Sequence, residues 1–491
     1  MIKYISTRGG GQPRSAASAV IKGISEDKGL FVPESIPALP FKPGDMVGKP
    51  YKEVAKAVIG AFFDDYTADE IQACVDGAYD SKFEAEDVVP VVHAGGAYFL
   101  ELYHGRTAAF KDMALSILPY LMTTAVRKEH EEKKIVILTA TSGDTGKAAL
   151  EGFADVPGTE IVVFYPSTGV SEVQKRQMTT QTGDNTHVFG INGNFDDAQT
   201  GVKQIFDDDA FNEKVNEAGC RLSSANSINI GRLVPQVAYY VYGYIKLIEK
   251  GVIKDGDPVN VVVPTGNFGN ILASYYASLM GIPVKQFICA SNKNKVLTDF
   301  INTGVYSTDR QFYVTNSPSM DILISSNLER LLYHLSGDPA EVKDLMEQLS
   351  TKGVYEVSDK IRKGMDKLSG GFADEQETLD AIAKIYDEDN YLIDTHTAVA
   401  WKVYNDYREK TGDETPALIA STASAYKFAA DVAKALGMPE EENGFAYVKA
   451  LEKKTGVPVP SGLKDLDKKA VRHSGVIEKD ALRDAVLGSL K

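Results

Sequence analysis

Apolar residues along this chain fall into short unbroken runs separated by longer mixed stretches. The runs at 134–140, 160–165, 186–191, 259–263 and 284–290 are rich in Val, Ile, Leu and Phe. They read as strands covered on both faces, because a strand with one wet face alternates apolar and polar positions. The stretches near 113–130, 144–154, 171–182, 196–208, 228–249 and 269–280 read as helices. Gly158, Gly183, Gly219 and Gly281 separate the units. Strands alternating with helices in this way predict an α/β fold built on parallel sheets.

The flanks follow other rules. Residues 1–90 are helix-rich, with proline punctuation at Pro33, Pro37, Pro40 and Pro43 and helical spacing from Tyr51 to Phe63. Two short strands at 88–92 and 97–102 meet at Gly95-Gly96. From about 318 the chain reads as mainly helical until an apolar strand at 417–420, and after about 432 as short charged amphipathic helices. The expected division is an N-terminal domain at 1–90, a smaller α/β domain at 91–255, a larger one at 256–430 and a helical covering element at 431–491.

Two of the predicted strand–helix junctions carry glycine-punctuated polar loops. One is Pro264-Thr265-Gly266-Asn267-Phe268-Gly269-Asn270. Gly266 and Gly269 let the backbone bend and approach a ligand closely. The amides of the following first turn have no helical partner and face outward at the positive end of the helix dipole. A phosphate or carboxylate fits there; a single turn of this kind reads equally as a tight connection. The second loop, Thr141-Ser142-Gly143-Asp144-Thr145-Gly146, shifts the balance toward ligand binding. Neither loop has the glycine spacing of an ATP or dinucleotide site. The pair suits two small anionic groups, such as a phosphate-bearing cofactor and an acidic or phosphorylated substrate.

Composition narrows the classes further. A net charge of −15 over 491 residues argues against a nucleic-acid partner, which needs a basic face. Cys74, Cys220 and Cys289 lie too far apart in sequence to suggest a disulfide framework or a metal site, and none is expected. No apolar stretch approaches the ~20 residues that span a bilayer. The cytoplasm is the expected compartment, and a monomer or homodimer the expected assembly.

The sequence Ala108-Ala109-Phe110-Lys111-Asp112-Met113 places a lysine between apolar neighbours at the expected start of a helix. Most lysines are solvated. Partly desolvated, Lys111 would have a lowered pKa and a free amine able to form a Schiff base. A phosphate-cradling loop together with such a lysine suggests pyridoxal 5′-phosphate.

The motifs around these residues resemble the threonine synthase family. They include Tyr4-Ile5-Ser6-Thr7-Arg8-Gly9, Asp27-Lys28-Gly29-Leu30-Phe31-Val32-Pro33 and His104-Gly105-Arg106-Thr107-Ala108-Ala109-Phe110-Lys111-Asp112. The two glycine loops, Asn226-Ser227-Ile228-Asn229, Ser319-Met320-Asp321-Ile322 and His396-Thr397-Ala398-Val399 continue the match in order. The resemblance implies a fold-type II pyridoxal-phosphate enzyme, a lyase of threonine biosynthesis that converts O-phospho-L-homoserine and water to L-threonine and phosphate. It implies Lys111 as the Schiff-base lysine, Gly266, Asn267, Phe268, Gly269 and Asn270 around the cofactor phosphate, and Thr422 at the pyridine nitrogen. Ser142, Asp144 and Thr145 would receive the amino-acid end of the substrate. Asn226, Asn229 and Arg232, about three residues apart, would share one helix face toward the substrate phosphate.

Three positions depart from the family pattern: Arg106 replaces proline, Ala198 replaces cysteine, and Ala423-Ser424-Ala425-Tyr426-Lys427 replaces Ala-His-Pro-Ala-Lys. The last leaves Ser421 as an alternative to Thr422. Asp196 and Asp197 read equally as helix caps and substrate contacts, and His396 as a cap or packing residue. A lyase yielding 2-oxobutyrate from the same substrate, and an inactive anion-binding protein on the same fold, are the rival readings.

Overall fold

The computed structural model describes residues 1–168 and 170–490. Two sheets dominate. The larger has six strands in the order Leu368–Phe372, Val284–Ser291, Val259–Pro264, Ala417–Ser421, Ala97–Glu101 and Val91–Ala94. All neighbours are parallel except the last pair. Val259–Pro264 is buried at every position, Asn260 included, as the run Val261-Val262-Val263 leads one to expect of a central strand. The smaller sheet has five parallel strands in the order Val476–Ile477, Thr186–Ile191, Thr159–Pro166, Lys134–Ala140 and Cys220–Ser224.

Several features differ from the sequence expectation. Strands Val91–Ala94 and Ala97–Glu101 pair into the larger sheet, so the boundary drawn at residue 91 puts them in the wrong unit. The strand Cys220–Ser224 went unread because its second half is polar, and Leu368–Phe372 because its two glycines look like a turn. Val476–Ile477 adds an edge to the smaller sheet, so the C-terminal element takes part in that sheet as well as covering it. The helix expected at 113–130 is two pieces, Asp112–Leu115 and Leu118–Lys128, with Pro119 in the first turn of the second.

The N-terminal region contributes an antiparallel pair, Tyr4–Ser6 with Phe31–Pro33, and the helices Ala16–Lys22, Tyr51–Phe62 and Ala68–Ala78. Tyr51–Phe62 packs on the long buried helix Ile230–Glu249, with the rings of Tyr51 and Tyr242 edge to face at 5.3 Å. Among the described residues no helix is long and apolar enough to cross a membrane.

The chain that leaves the C-terminal ends of Lys134–Ala140, Val259–Pro264, Ala417–Ser421 and Ala97–Glu101 carries residues 141–145, 265–270, 422 and 111 in turn. Parallel α/β sheets present their ligand crevices at that end.

Candidate active site

The segment leading to Lys111 is fastened to the strand that ends at Ser421. Leu102 donates its amide to the Ser421 carbonyl at 2.9 Å, Phe110 to the Thr422 carbonyl at 2.8 Å, and Ser424 to the Ala108 carbonyl at 3.0 Å. Ala108 takes a left-handed backbone, φ 56°, to make the turn. Lys111 and Thr422 thereby line one cavity, together with Ser142, Thr145, Asn226, Arg232 and the whole of Gly266 to Asn270.

The Lys111 ammonium is nearly buried and loosely held. Its Nζ lies 3.3 Å from Asp144 Oδ2, 3.5 Å from Ser319 Oγ and 5.2 Å from the centre of the Phe110 ring. Burial pushes its pKa below the usual lysine value; Asp144 opposes that shift, and Lys427 and Arg232 reinforce it. The source is desolvation, since the helix after Lys111 is a single turn.

Around the glycine loop the backbone is strained and braced. Phe268 stands at φ 63° just before the helix Gly269–Met280, a conformation uncommon for a bulky residue. The Asn267 carbonyl accepts from both the amide and Nδ2 of Asn327, and the Gly266 carbonyl from Ser325 Oγ at 2.7 Å. A Cβ on Gly266 would stand 2.6 Å from the Ser319 carbonyl oxygen. Asn270, 7% exposed, accepts from the hydroxyls of Tyr239 and Tyr240 through Oδ1, while its Nδ2 has no partner.

A second unpartnered donor lies in the same cavity. Arg232, 3% exposed, donates from Nη1 to the Ala225 carbonyl at 2.9 Å, and its Nε donates to nothing among the described residues. Burial lowers its pKa to about 10, with Tyr239 opposing. A buried cation with unused donors is a strong anion site.

With this geometry in hand, three family models match the chain: Threonine synthase N terminus at residues 3–79, Pyridoxal-phosphate dependent enzyme at 89–422, and Threonine synthase, C-terminal, at 397–486. Threonine synthase from Schizosaccharomyces pombe is 37% identical over 487 residues, covering 92% of each chain. The chain belongs to the threonine synthase family. The crystal structure of PLP bound threonine synthase from Brucella melitensis superposes with a TM-score of 0.87 at 34% identity, over 100% of both chains. Threonine synthase-like 1 from Pongo abelii is 40% identical over 89% of this chain. The chain spans only about three fifths, 61%, of that relative's length.

Two of the residues expected to meet substrate are engaged within the protein. Asn229 precedes the helix Ile230–Glu249 as its cap and is fully buried. Its Nδ2 donates to the Val20 and Ser224 carbonyls and its Oδ1 accepts from the Gly231 amide. It therefore shares no helix face with Asn226 and Arg232 and has nothing left for substrate. Asp144 is turned toward lysines, with Lys427 Nζ 2.5 Å from Oδ1, and also accepts from Gln174 Nε2 at 2.8 Å and Ser319 Oγ at 3.2 Å. Burial alone would raise its pKa, but Lys427 and Lys111 hold it well below the carboxylate range. Its two oxygens are thus engaged by Lys111, Lys427, Gln174 and Ser319.

Of the two hydroxyls considered, Thr422 lines the cavity, whereas Ser421 Oγ is 3.1 Å from Thr397 Oγ1. His396 does more than pack. Its Nδ1 is 2.8 Å from Asp394 Oδ2, and its Nε2 accepts the Ser319 amide at 3.1 Å, which fixes the turn that faces Lys111. Asp197 belongs to a capping box with Asn194; the Asp196 side chain lies outside the described residues. Arg106 is half exposed and pairs with Glu151, Ala198 is buried beneath the smaller sheet, and Ser424 caps the short helix Ala425–Phe428. None of these three departures lines the cavity.

Ser319 and Lys427 went unassigned in the sequence. Ser319 lay within a quoted motif, but only the fold turns it to Lys111. Ala423 and Lys427 are the two residues that the departing motif keeps, and only Lys427 carries a charge.

Proposed function

We propose that this protein is a threonine synthase that uses pyridoxal 5′-phosphate to convert O-phospho-L-homoserine and water to L-threonine and phosphate. One observation carries the reading. Asn270 and Arg232, which each keep a buried donor without a partner among the described residues (Nδ2 and Nε), line the cavity that contains a desolvated lysine amine. That arrangement fits a phosphate-bearing aldehyde cofactor and a phosphorylated substrate together.

The residues present suit the cofactor. The loop Gly266 to Asn270, with Asn270 Nδ2, would hold its phosphate, Lys111 its aldehyde carbon, and the Thr422 hydroxyl its ring nitrogen. When bound, the cofactor supplies an electron-withdrawing ring that stabilises negative charge at the substrate Cα. The Thr422 hydroxyl is neutral, so it would place no negative charge at the ring nitrogen.

The chain's own residues supply the rest. Lys111 Nζ, whose pKa burial lowers, would take the Cα proton and later return it. Ser142 and Thr145, at the start of the helix Asp144–Phe153, would hold the substrate carboxylate with the free amides of that turn. Arg232 and Asn226 would hold the departing phosphate. A positioned acid–base group of this kind is worth ~10²–10⁴-fold in rate.

The test is a product assay on the purified protein with pyridoxal phosphate and O-phospho-L-homoserine. Threonine and phosphate should appear in equal amounts, and unphosphorylated homoserine should be a poor substrate. Release of 2-oxobutyrate as the main product would establish the lyase instead, and the absence of any product would favour the anion-binding protein.

A further inference from the structure

The carboxylate nearest Lys111 is shared with a second buried lysine. Lys427 is 1% exposed, on the short helix Ala425–Phe428 that follows the strand Ala417–Ser421. Its Nζ lies 2.5 Å from Asp144 Oδ1 and donates to the Thr107 carbonyl at 2.9 Å. Lys111 reaches only the other oxygen, at 3.3 Å, and shares it with Ser319 Oγ at 3.2 Å. One carboxylate thus serves two ammonium groups, and the closer contact goes to the one that lies outside the cavity lining.

The charge balance follows from this geometry. Asp144 paired with Lys427 is a neutral unit, which leaves Lys111 as the surplus cation in a buried site. A surplus buried cation sheds its proton. Without Lys427, the same carboxylate would belong to Lys111 alone and would hold the proton on it. The other charged or titratable groups around Lys111 do not supply that hold. Arg232, from the helix Ile230–Glu249, is a cation. His396, from the helix Thr395–Thr411, is bound to Asp394 and to the Ser319 amide. Asp321 accepts from Thr315, Asn292 and Asn294. Asp112, beside Lys111 in sequence, turns away to the amide and hydroxyl of Thr107. Lys147 and Glu151, farther along the helix of Asp144, pair with each other at 3.0 Å.

We propose that Lys427 is a positioning residue that keeps Lys111 in its free-base form by occupying Asp144. The proposal rests on the reading of Lys111 as the reactive amine, but its test needs no turnover. Lys427 also ties the Ser142–Thr145 loop, through Asp144, to the larger sheet, so a purely structural role is the alternative to be separated.

The experiment measures competitive labelling of Lys111 by acetic anhydride as a function of pH, in the full-length protein freed of pyridoxal phosphate. Peptide mass spectrometry reads the extent, with exposed Lys254 as the internal standard. Lys427→Met should raise the pH midpoint of Lys111 labelling by about one unit or more, the size expected when an opposite charge is no longer shared. Lys427→Arg should leave the midpoint near that of the parent, because the cation is retained. Asp144→Asn should lower it, because the carboxylate that holds a proton on Lys111 is gone; if Lys427→Met does not fold, Lys427→Gln, which also removes the cation, decides the matter. A folded Lys427→Met protein with the parent midpoint would overturn the proposal, as would an Asp144→Asn midpoint that stays or rises. A threonine-negative protein with shifted midpoints would refute the proposed function and leave this inference standing.

Discussion

The Tyr239 hydroxyl donates to Asn270 Oδ1 at 2.8 Å, and this decides which end of the Asn270 amide faces the cavity. Tyr240 donates to the same oxygen, so the amide can offer an anion only its Nδ2. Asn270→Asp replaces that donor with a carboxylate. We expect cofactor affinity to fall at least tenfold, since a hydrogen bond to a charged group contributes about 1.5–3 kcal/mol and the new charge repels phosphate. Titration of the cofactor-free protein with pyridoxal phosphate, followed by absorbance, measures it. An unchanged affinity would remove Asn270 from the phosphate site.

Lys111→Ala removes the amine without touching the loop at Gly266 to Asn270. The protein should fold and bind the cofactor non-covalently and more weakly. Turnover should drop by ~10²–10⁴-fold or more. In the parent, borohydride should fix the cofactor to the peptide that contains Lys111; fixation at Lys427 or Lys147 would reassign the anchor.

Gly266→Ala tests how the loop is held against the turn at Ser319. The added Cβ would stand 2.6 Å from a backbone oxygen, which no side-chain motion can relieve. We expect a loss of about 1–3 kcal/mol in stability, as for other overpacked sites, with a parallel loss of cofactor affinity. Thermal melts with and without pyridoxal phosphate separate the two effects. A Gly266→Ala protein that matches the parent in both would show the loop and turn to be free of one another.

His334 gives the fold a pH dependence that can be isolated. Its Nε2 is 2.8 Å from the Tyr276 hydroxyl oxygen, and burial, helped by Arg330, pushes its pKa down to about 4. An unfolded chain binds this proton near pH 6.5, so the unfolded state gains protons first as the pH falls. The contribution is present above about pH 6.5 and is lost between there and about pH 4. His334→Gln retains an acceptor and cannot titrate. Its melting temperature should fall less steeply than the parent's across that window, and identical slopes would refute the assignment.

How far the fold can be read from the chain depended on which signal each element carries. Val259–Pro264 and Lys134–Ala140 were legible because a strand buried on both faces carries consecutive apolar residues, here Val261-Val262-Val263 and Ile135-Val136-Ile137-Leu138. Leu368–Phe372 was not, because its glycines are accommodated by close approach to the Thr298 backbone and the Val403 side chain, a matter of distant packing. Strands Val91–Ala94 and Ala97–Glu101 were recognised but put in the wrong unit, since strand order is set by pairing across some 320 residues with Ala417–Ser421.

The sequence by itself determined the chemistry on offer: an amine at Lys111 between apolar neighbours, two glycine loops able to hold anions, and an order of motifs that marks the family. Those are local properties of spacing and side-chain type. Only the tertiary structure decided which groups meet. It took Asn229 for a helix cap, and it set the Ser421 hydroxyl beside Thr397 and Thr422 in the cavity wall. It brought Asp144 between Lys111 and Lys427, more than 280 residues apart in the chain. A buried charge must be neutralised by whatever the fold brings within a few ångströms, and that neighbour need not be near in sequence.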